Sequence, residues 1–196
     1  MRSLVALAAL VALPAAASTW EIDPNHTESS FVVKHLMVSN VRGQFGKTTG
    51  TVQQDDKDIT KSKVEITIDA RTIDTRVEKR DAHLKSPDFF DVEKFPTITF
   101  KSTKITKGEG NNVTMEGDLT IHGVTKPVVV NVEQTPDTLA TGKTIRGFTA
   151  TTKINRKDFG LNWNRAIESG GVMVGEDVAI TVEGEIHRKD APTAAK

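Results

Sequence analysis

The sequence contains no cysteine, no tyrosine and no excess of charge of either sign. The absence of cysteine excludes disulfide bonds, thiolate catalysis and cysteine-ligated metals. The 26 Lys and Arg residues balance 26 Asp and Glu residues, so the chain lacks the basic footprint of a nucleic-acid-binding protein. Without disulfides, stability must come from burial of apolar groups, and a chain of this length buries about 70% of its unfolded surface.

A long apolar run occurs only at the amino terminus. Arg2 precedes an apolar stretch from Leu4 to Leu13, which small residues follow. This arrangement predicts a secretory signal peptide over residues 1–17, with cleavage before Ser18. The apolar run has about ten residues, half of the ~20 that a membrane-spanning helix needs. We therefore expect an exported, periplasmic protein without a permanent membrane anchor.

Most of the remaining chain alternates apolar and polar residues. The segments KVEITID (63–69), VTMEGDLTI (113–121) and EDVAITVEGEIH (176–187) each place their apolar side chains on one face. Such alternation is typical of antiparallel strands that are covered on one side. About nine segments of this kind are separated by turn sequences such as KGEGNN and HGVTKP. They predict one all-β domain over residues 18–188, followed by a flexible tail at 189–196.

Three glycines, Gly117, Gly147 and Gly184, lie inside these strand patterns. Glycine within a strand marks a bulge, a bend, or the close approach of a ligand or another backbone segment. A strongly curved sheet favours a closed barrel over a flat sandwich. A barrel of about eight strands is either filled by side chains or holds one small ligand, and both interpretations stay open here.

One segment, DTRVEKRDAHLKS (74–86), predicts a short helix. Asp74 and Thr75 are candidate N-cap residues, and Pro87 follows the end of the segment. The chain from this proline to residue 100 contains four of the eight phenylalanines, at positions 89, 90, 95 and 100. We interpret this segment as a helix followed by an aromatic plug and by entry into the barrel wall.

Catalytic motifs are absent from the sequence. It has no G-x-S-x-G, no H-E-x-x-H and no P-loop. The histidines at 26, 35, 83, 122 and 187 are far apart, so no two of them have metal-ligand spacing. We therefore expect no enzyme activity, no metal and no cofactor apart from a bound ligand. A hydrolase or isomerase that uses His35 or His83 inside the cavity is a weaker alternative.

Four sequence blocks, in order along the chain, resemble the YceI-like family of exported bacterial polyisoprenoid-binding proteins. They are WEIDPNHTESSFVVKHLMVSNVRGQFG (20–46), TIDTRVEKRDAHLKSPDFFDVEKFPTITF (72–100), GDLTIHGVTKPVVV (117–130) and INRKDFGL (154–161). The resemblance implies an extended, lipocalin-like antiparallel β-barrel with one short helix. It further implies a periplasmic carrier or sequestering protein that holds a polyprenyl phosphate, an isoprenoid quinone or a similar long-chain lipid.

Inward strand residues and the aromatics near the barrel ends are the candidates for the cavity wall. They are Phe31, Val33, His35, Val64, Ile66, Ile68, Phe89, Phe90, Ile98, Phe100, Met115, Leu119, Val128, Val130, Phe159, Trp163, Val178 and Ile180. The same residues would form an ordinary core if the barrel were packed. The alternative function is therefore an exported stress or interaction protein with no stoichiometric ligand.

Basic residues in the predicted loops and helix are the candidates for contact with a polar head group. They are Arg42, Arg80, His83 and Lys85. Arginine in particular has the planar donor geometry that suits a phosphate. The expected partner is thus a lipid rather than a nucleic acid, and the balanced charge is compatible with a homodimer.

Overall fold

A computed structural model describes residues 17–166 and 170–189. Within these ranges the chain forms twelve strands, one α-helix and three short 3-10 helices. The strands are β1 Ala17–Ile22, β2 Glu28–His35, β3 Ser39–Phe45, β4 Thr48–Asp55, β5 Lys63–Asp69, β6 Ile73–Asp74, β7 Thr97–Lys107, β8 Val113–Ile121, β9 Val124–Gln134, β10 Thr138–Ala140, β11 Lys143–Asn155 and β12 Val174–Lys189. The helix α1 is Glu78–Lys85, and the 3-10 helices are Ile59–Lys61, Ala70–Thr72 and Arg156–Phe159.

The strands close into an antiparallel barrel of eight strands. Three positions in this ring are each filled by two consecutive strands with a break between them. These pairs are β1 with β2, β3 with β4, and β5 with β6. For example, β1 and β2 pair one after the other with β12, through Ile22 with Ile186 and Glu28 with Glu183. The pairing of β11 with β12 completes the ring. The predicted all-β barrel with one short helix is confirmed.

The two ends of the barrel differ in composition. At the glutamine end, which we define by Gln54, Gln134 and Arg146, β4 and β9 end and β11 begins. At the helix end, β6 leads into α1 and residues 86–96 before β7 begins. The extended chain from Arg146 to Arg156 covers roughly 34 Å at about 3.4 Å per residue. The interior is therefore elongated along the strands.

The strand alternation builds the interior directly. In β8, Met115 and Leu119 are buried, whereas Glu116 and Asp118 between them are exposed. Burial of one such apolar side chain contributes about 1.5–3 kcal/mol. Repetition of this pattern around the ring forms a continuous apolar cluster, to which β5, β7, β8, β9 and β11 all contribute. One face of each strand thus stabilises the barrel, and the other meets solvent.

Gly117 shows why the strands contain glycine. A Cβ at this position would lie 2.5 Å from the Phe100 ring and 2.5 Å from the carbonyl oxygen of Lys101. The β7–β8 pairing also shifts its register nearby, between Ser102 and Lys104. The glycine therefore makes room for a neighbouring strand of the protein itself, at a local irregularity of the sheet.

The helix is shorter than the sequence predicts. It begins at Glu78, and neither predicted N-cap residue caps it. Asp74 instead accepts a hydrogen bond from the backbone N–H of Arg76, and Thr75 donates to the Asp81 carboxylate. Arg76 has a φ of 64°, which turns the chain before the helix can start. The N-cap prediction was wrong because these side chains stabilise a turn.

The two ends of the chain fall mainly beyond the described residues. The predicted signal peptide at 1–17 lies outside them except for Ala17, the first residue of β1. The predicted tail at 189–196 also lies outside them except for Lys189, which pairs with Thr19 and so belongs to β12. Among the residues that the structure describes, no helix has the length and apolarity that a bilayer crossing requires.

Candidate functional site

The barrel encloses an apolar cavity of about 230 Å³. Strand side chains form most of its wall, and Leu84, Phe89 and Phe90 close the wall at the helix end. The polar residues of the lining are few: Ser29, Ser30, Gln54, Ser62, Gln134, Arg146, Thr152 and Arg156. A mainly apolar cavity with a few polar groups is typical of a small-molecule site.

Most of the predicted wall residues line this cavity. They are Phe31, Val33, Val64, Ile66, Ile68, Phe89, Phe90, Ile98, Phe100, Met115, Leu119, Val128, Val130, Val178 and Ile180. The period of two placed the strand residues of this set on the inner face, and Phe89 and Phe90 join them from the segment after α1. Contact with a ligand at these positions stays a prediction.

Three predicted wall residues, His35, Phe159 and Trp163, do not line the cavity. His35 is the last residue of β2 and pairs with Ser39 across the hairpin. Phe159 is only 2% exposed and packs into the core from its 3-10 helix. Trp163 packs against Phe89, with the two ring centroids 5.3 Å apart. The sequence pattern predicted the apolar contacts of Phe159 and Trp163 but not where the cavity ends.

The helix end is closed by Leu84 of α1 and by the aromatic plug, which we define as Phe89 and Phe90. The Phe90 ring meets Phe45 edge-on at a centroid distance of 5.8 Å. His83 packs edge-on against Phe89 at 5.0 Å. Its Nε2 also lies 2.8 Å from Asp88 Oδ2, which fixes the ring beside the plug. These contacts agree with the interpretation of this segment as a plug beyond a helix.

The predicted head-group residues do not converge on the cavity, and none of the four lines it. Arg42 is exposed on β3, and Lys85 lies in the last turn of α1. Arg80 donates to the hydroxyl and carbonyl oxygens of Thr75, which holds the turn before the helix. His83 supports the plug. We selected these four residues only because they lie in predicted loops or the helix. Such positions place their side chains around α1 and on the outer surface rather than in the cavity.

Two arginines that the sequence argument did not select do line the cavity. Arg156, at the helix end, is only 3% exposed. It donates to the backbone carbonyl oxygens of Gly175 at 2.8 Å, Val174 at 3.3 Å and Leu161. Burial lowers the pKa of the Arg156 guanidinium from its ordinary value. Arg156 therefore ties the chain after β11 to the start of β12.

Arg146, at the glutamine end, has a side chain that is 12% exposed. Its Nε donates to Asp137 Oδ1 at 2.6 Å, and its Nη1 donates to Gln54 Oε1 at 2.8 Å and Gln134 Oε1 at 3.1 Å. The guanidinium carbon lies 4.4 Å from the centre of the Trp20 ring. The sequence does contain a signal for Gln54, Gln134 and Arg146, because each of these three residues continues the inward alternation of its strand.

Comparison with known proteins agrees with this geometry. A family model described as a YceI-like domain matches residues 20–186. The chain belongs to the YceI-like family. A UPF0312 protein of Staphylococcus aureus strain N315 is 37% identical over 170 residues, which cover 86% of this chain and 96% of the relative.

Solved structures share the fold of this YceI-like chain. A Campylobacter jejuni YceI protein is 31% identical with a TM-score of 0.69, and the match covers 80% of this chain and 90% of that one. A polyisoprenoid-binding domain from Saccharophagus degradans is 13% identical with a TM-score of 0.64, over 87% of this chain and 98% of that one. The second likeness is one of fold alone.

Outside the cavity, acidic and histidine side chains of this YceI-like barrel form a small surface network. His187 Nε2 lies 3.5 Å from Asp23 Oδ2 and 3.6 Å from Glu185 Oε2. Asp23 Oδ2 also lies 2.9 Å from His26 Nδ1. This hydrogen bond lowers the pKa of the Asp23 carboxyl and raises the pKa of the His26 imidazole. The Asp23 carboxylate is thus bonded to His26, while His187 Nε2 lies within 3.6 Å of both carboxylates without a hydrogen bond to either.

Proposed function

We propose that this protein is a periplasmic carrier or sequestering protein that binds a long-chain isoprenoid lipid inside its barrel. The observation that carries the proposal is the apolar cavity, plugged by aromatics at one end and polar at the other. Transfer of a prenyl chain from water into such a cavity contributes about 25 cal/mol per Å² of apolar surface. The fold likeness to a domain described as polyisoprenoid-binding supports the same ligand class.

The size of the cavity restricts the shape of the ligand. Its volume of about 230 Å³ lies below the roughly 300–1,000 Å³ of most ligand sites. A thin, flexible prenyl chain suits it better than a rigid fused ring system does. Met115 in the wall has an unbranched side chain that adapts to irregular surfaces. We expect wall side chains to change rotamer as successive isoprene units enter.

The periplasmic location depends on the predicted signal peptide. Processing should remove residues 1–17 and leave Ser18 as the amino-terminal residue. Intact-mass analysis of the protein from an osmotic-shock fraction measures this directly. Retention of the full chain in the cytoplasm would contradict the location without affecting the binding proposal.

Native mass spectrometry of exported protein purified without detergent tests the binding proposal. We expect a species heavier than the polypeptide by the mass of one lipid, and organic extraction should release a prenyl compound. A spectrum with only the polypeptide mass would favour the alternative function, an exported stress or interaction protein with a packed barrel. The same spectrum reports whether the protein forms a homodimer.

Filling the cavity gives a second test. Met115 is 7% exposed and lines the wall, so Met115→Trp should displace lipid from the interior. We expect most of the bound lipid to be lost, with a cost of about 1–3 kcal/mol in the free energy of unfolding. Met37, which is 59% exposed, provides the matched control Met37→Trp, which should leave lipid occupancy unchanged.

If Met115→Trp does not fold, Met115→Phe makes the same change on a smaller scale. A folded Met115 variant with full lipid occupancy would show that the ligand does not occupy the cavity.

A further inference from the structure

The glutamine end brings together three polar side chains at inward positions of three strands. Gln54 follows Val52 by two residues in β4, and Gln134 follows Val132 by two in β9. Arg146 lies on β11 and reaches both glutamines through one nitrogen, Nη1. All three side chains line the cavity. Their convergence depends on barrel closure, because β4 is not a neighbour of β9 or β11 in the ring.

The hydrogen bonds fix the orientation of both glutamine amides. A guanidinium only donates, so the Oε1 of Gln54 and the Oε1 of Gln134 must both face Arg146. Their Nε2 groups are then turned away from it. No hydrogen bond among the described residues uses either Nε2 group or Arg146 Nη2. The glutamine end therefore has N–H donors that no acceptor among the described residues engages.

The charge of this group is already balanced. Arg146 Nε and Asp137 Oδ1 are 2.6 Å apart, so the cation has its own carboxylate. The two glutamines are neutral. A phosphate brought here from water would lose hydration and find no uncompensated positive charge to replace it. A neutral oxygen acceptor loses far less hydration and still accepts the amide N–H groups.

The other arginine of the cavity offers no comparable site. Arg156 donates from all three of its guanidinium nitrogens to backbone carbonyl oxygens. These acceptors belong to Leu161, Val174 and Gly175 and stay in place when a ligand enters. The helix end therefore offers no unused arginine donor to a head group.

From this geometry we infer that Gln54, Gln134 and Arg146 form the head-group subsite of the cavity and select an uncharged, carbonyl-bearing prenyl lipid. A prenylated quinone has this chemistry, and a prenyl phosphate does not. The inference rests on the proposed function, since it specifies which prenyl lipid the barrel takes. It assigns specificity to residues other than the basic residues around α1.

Three probes with the same number of isoprene units test this inference on delipidated protein. They are a prenylated benzoquinone, a prenyl monophosphate and the corresponding prenyl hydrocarbon. Competition measured by native mass spectrometry should favour the quinone over the monophosphate by tenfold or more. Equal or stronger binding of the monophosphate would overturn the inference.

The double variant Gln54→Leu, Gln134→Leu removes the amide donors and keeps similar side-chain volume. Quinone affinity should fall about tenfold or more, because both amide hydrogen bonds to the quinone are lost. Affinity for the hydrocarbon should stay the same or rise. Gln53→Leu is the matched control, since Gln53 is exposed on the outer face of β4. If the double variant is unstable, the single variants Gln54→Met and Gln134→Met replace it.

The outcomes separate this inference from the proposed function. If none of the three probes binds, both fail. If all three bind with similar affinity, and the glutamine variants change nothing, the barrel is a prenyl-lipid carrier without this head-group subsite.

Discussion

The two ends of the barrel use a cavity arginine in opposite ways. At the helix end, Arg156 donates to three backbone carbonyl oxygens, which cannot rotate away. At the glutamine end, Arg146 donates to three side chains, and side chains can rotate away. The first arrangement stabilises the loop between β11 and β12. The second leaves amide donors to adjust around a ligand, so the partners of a cavity arginine, rather than its burial, indicate its role.

The largest expected effect comes from removing each arginine in turn. Arg156→Met removes this donor from the buried carbonyl oxygens of Leu161 and Gly175, whereas the Val174 carbonyl keeps its bond from Asn164 Nδ2. Each buried carbonyl left without a donor costs about 1–3 kcal/mol. Arg146→Met should cost roughly 1 kcal/mol, because its partners are mobile side chains and Asp137 is 44% exposed. Urea denaturation of both variants measures the difference. Equal destabilisation by the two changes would remove the contrast between the ends.

The aromatic plug provides the next test. Phe89 is 7% exposed and packs on His83 and Trp163, so Phe89→Ala should cost about 3 kcal/mol. Opening this end should raise the dissociation rate of every prenyl probe by a similar factor, whatever its head group. Stopped-flow displacement measures these rates. A change confined to one head group would place head-group recognition at the helix end.

A smaller effect is expected from the charge partner of Arg146. Asp137→Asn leaves the guanidinium uncompensated, so the affinity for the prenyl monophosphate should rise several-fold while stability changes by less than about 1 kcal/mol. Asp177→Asn is the control, because Asp177 is paired with Lys153 at an exposed site. Unchanged monophosphate affinity in Asp137→Asn would argue against charge balance as the basis of selection.

The smallest effect concerns pH and lies outside the cavity. The hydrogen bond to Asp23 raises the pKa of His26 above its usual 6.5, so the folded state binds this proton more tightly than the unfolded state does. The resulting stabilisation is complete below the unfolded pKa and is lost as pH rises through the folded pKa. The melting temperature should therefore fall slightly between about pH 6 and pH 8, and His26→Ala should lack this slope. NMR titration of the His26 imidazole checks the direction of the pKa shift. The affinity for the prenyl probes should not change with this titration.

Much of the fold could be predicted from the sequence because strand alternation is a local property. The period of two placed residues such as Met115 and Ile180 on the inner face before any topology was known. The family blocks specified the barrel and the helix that precedes Phe89. The N-cap prediction failed because Asp74 and Thr75 make equally local bonds that favour a turn.

The polar groups of the cavity were harder to predict because their arrangement depends on barrel closure. Gln54 and Gln134 are eighty positions apart, and only Arg146 brings their side chains together. Local sequence instead drew attention to the basic residues of α1, such as Arg80, which support the turn before the helix. An inward polar residue at the end of an apolar strand face was the signal that would have indicated this group.

Methionine methyl NMR tests the central claim, that a prenyl lipid occupies the barrel cavity, most directly. The described residues include Met115 in the wall, the exposed Met37 and the partly buried Met173 outside the lining. Titration of methyl-labelled protein with a prenylated quinone should shift the Met115 signal, saturate at one ligand per chain and give nuclear Overhauser contacts between that methyl and the prenyl protons. The Met37 signal should stay in place. A Met115 signal that does not respond, or ligand contacts confined to Met37, would contradict binding in the cavity.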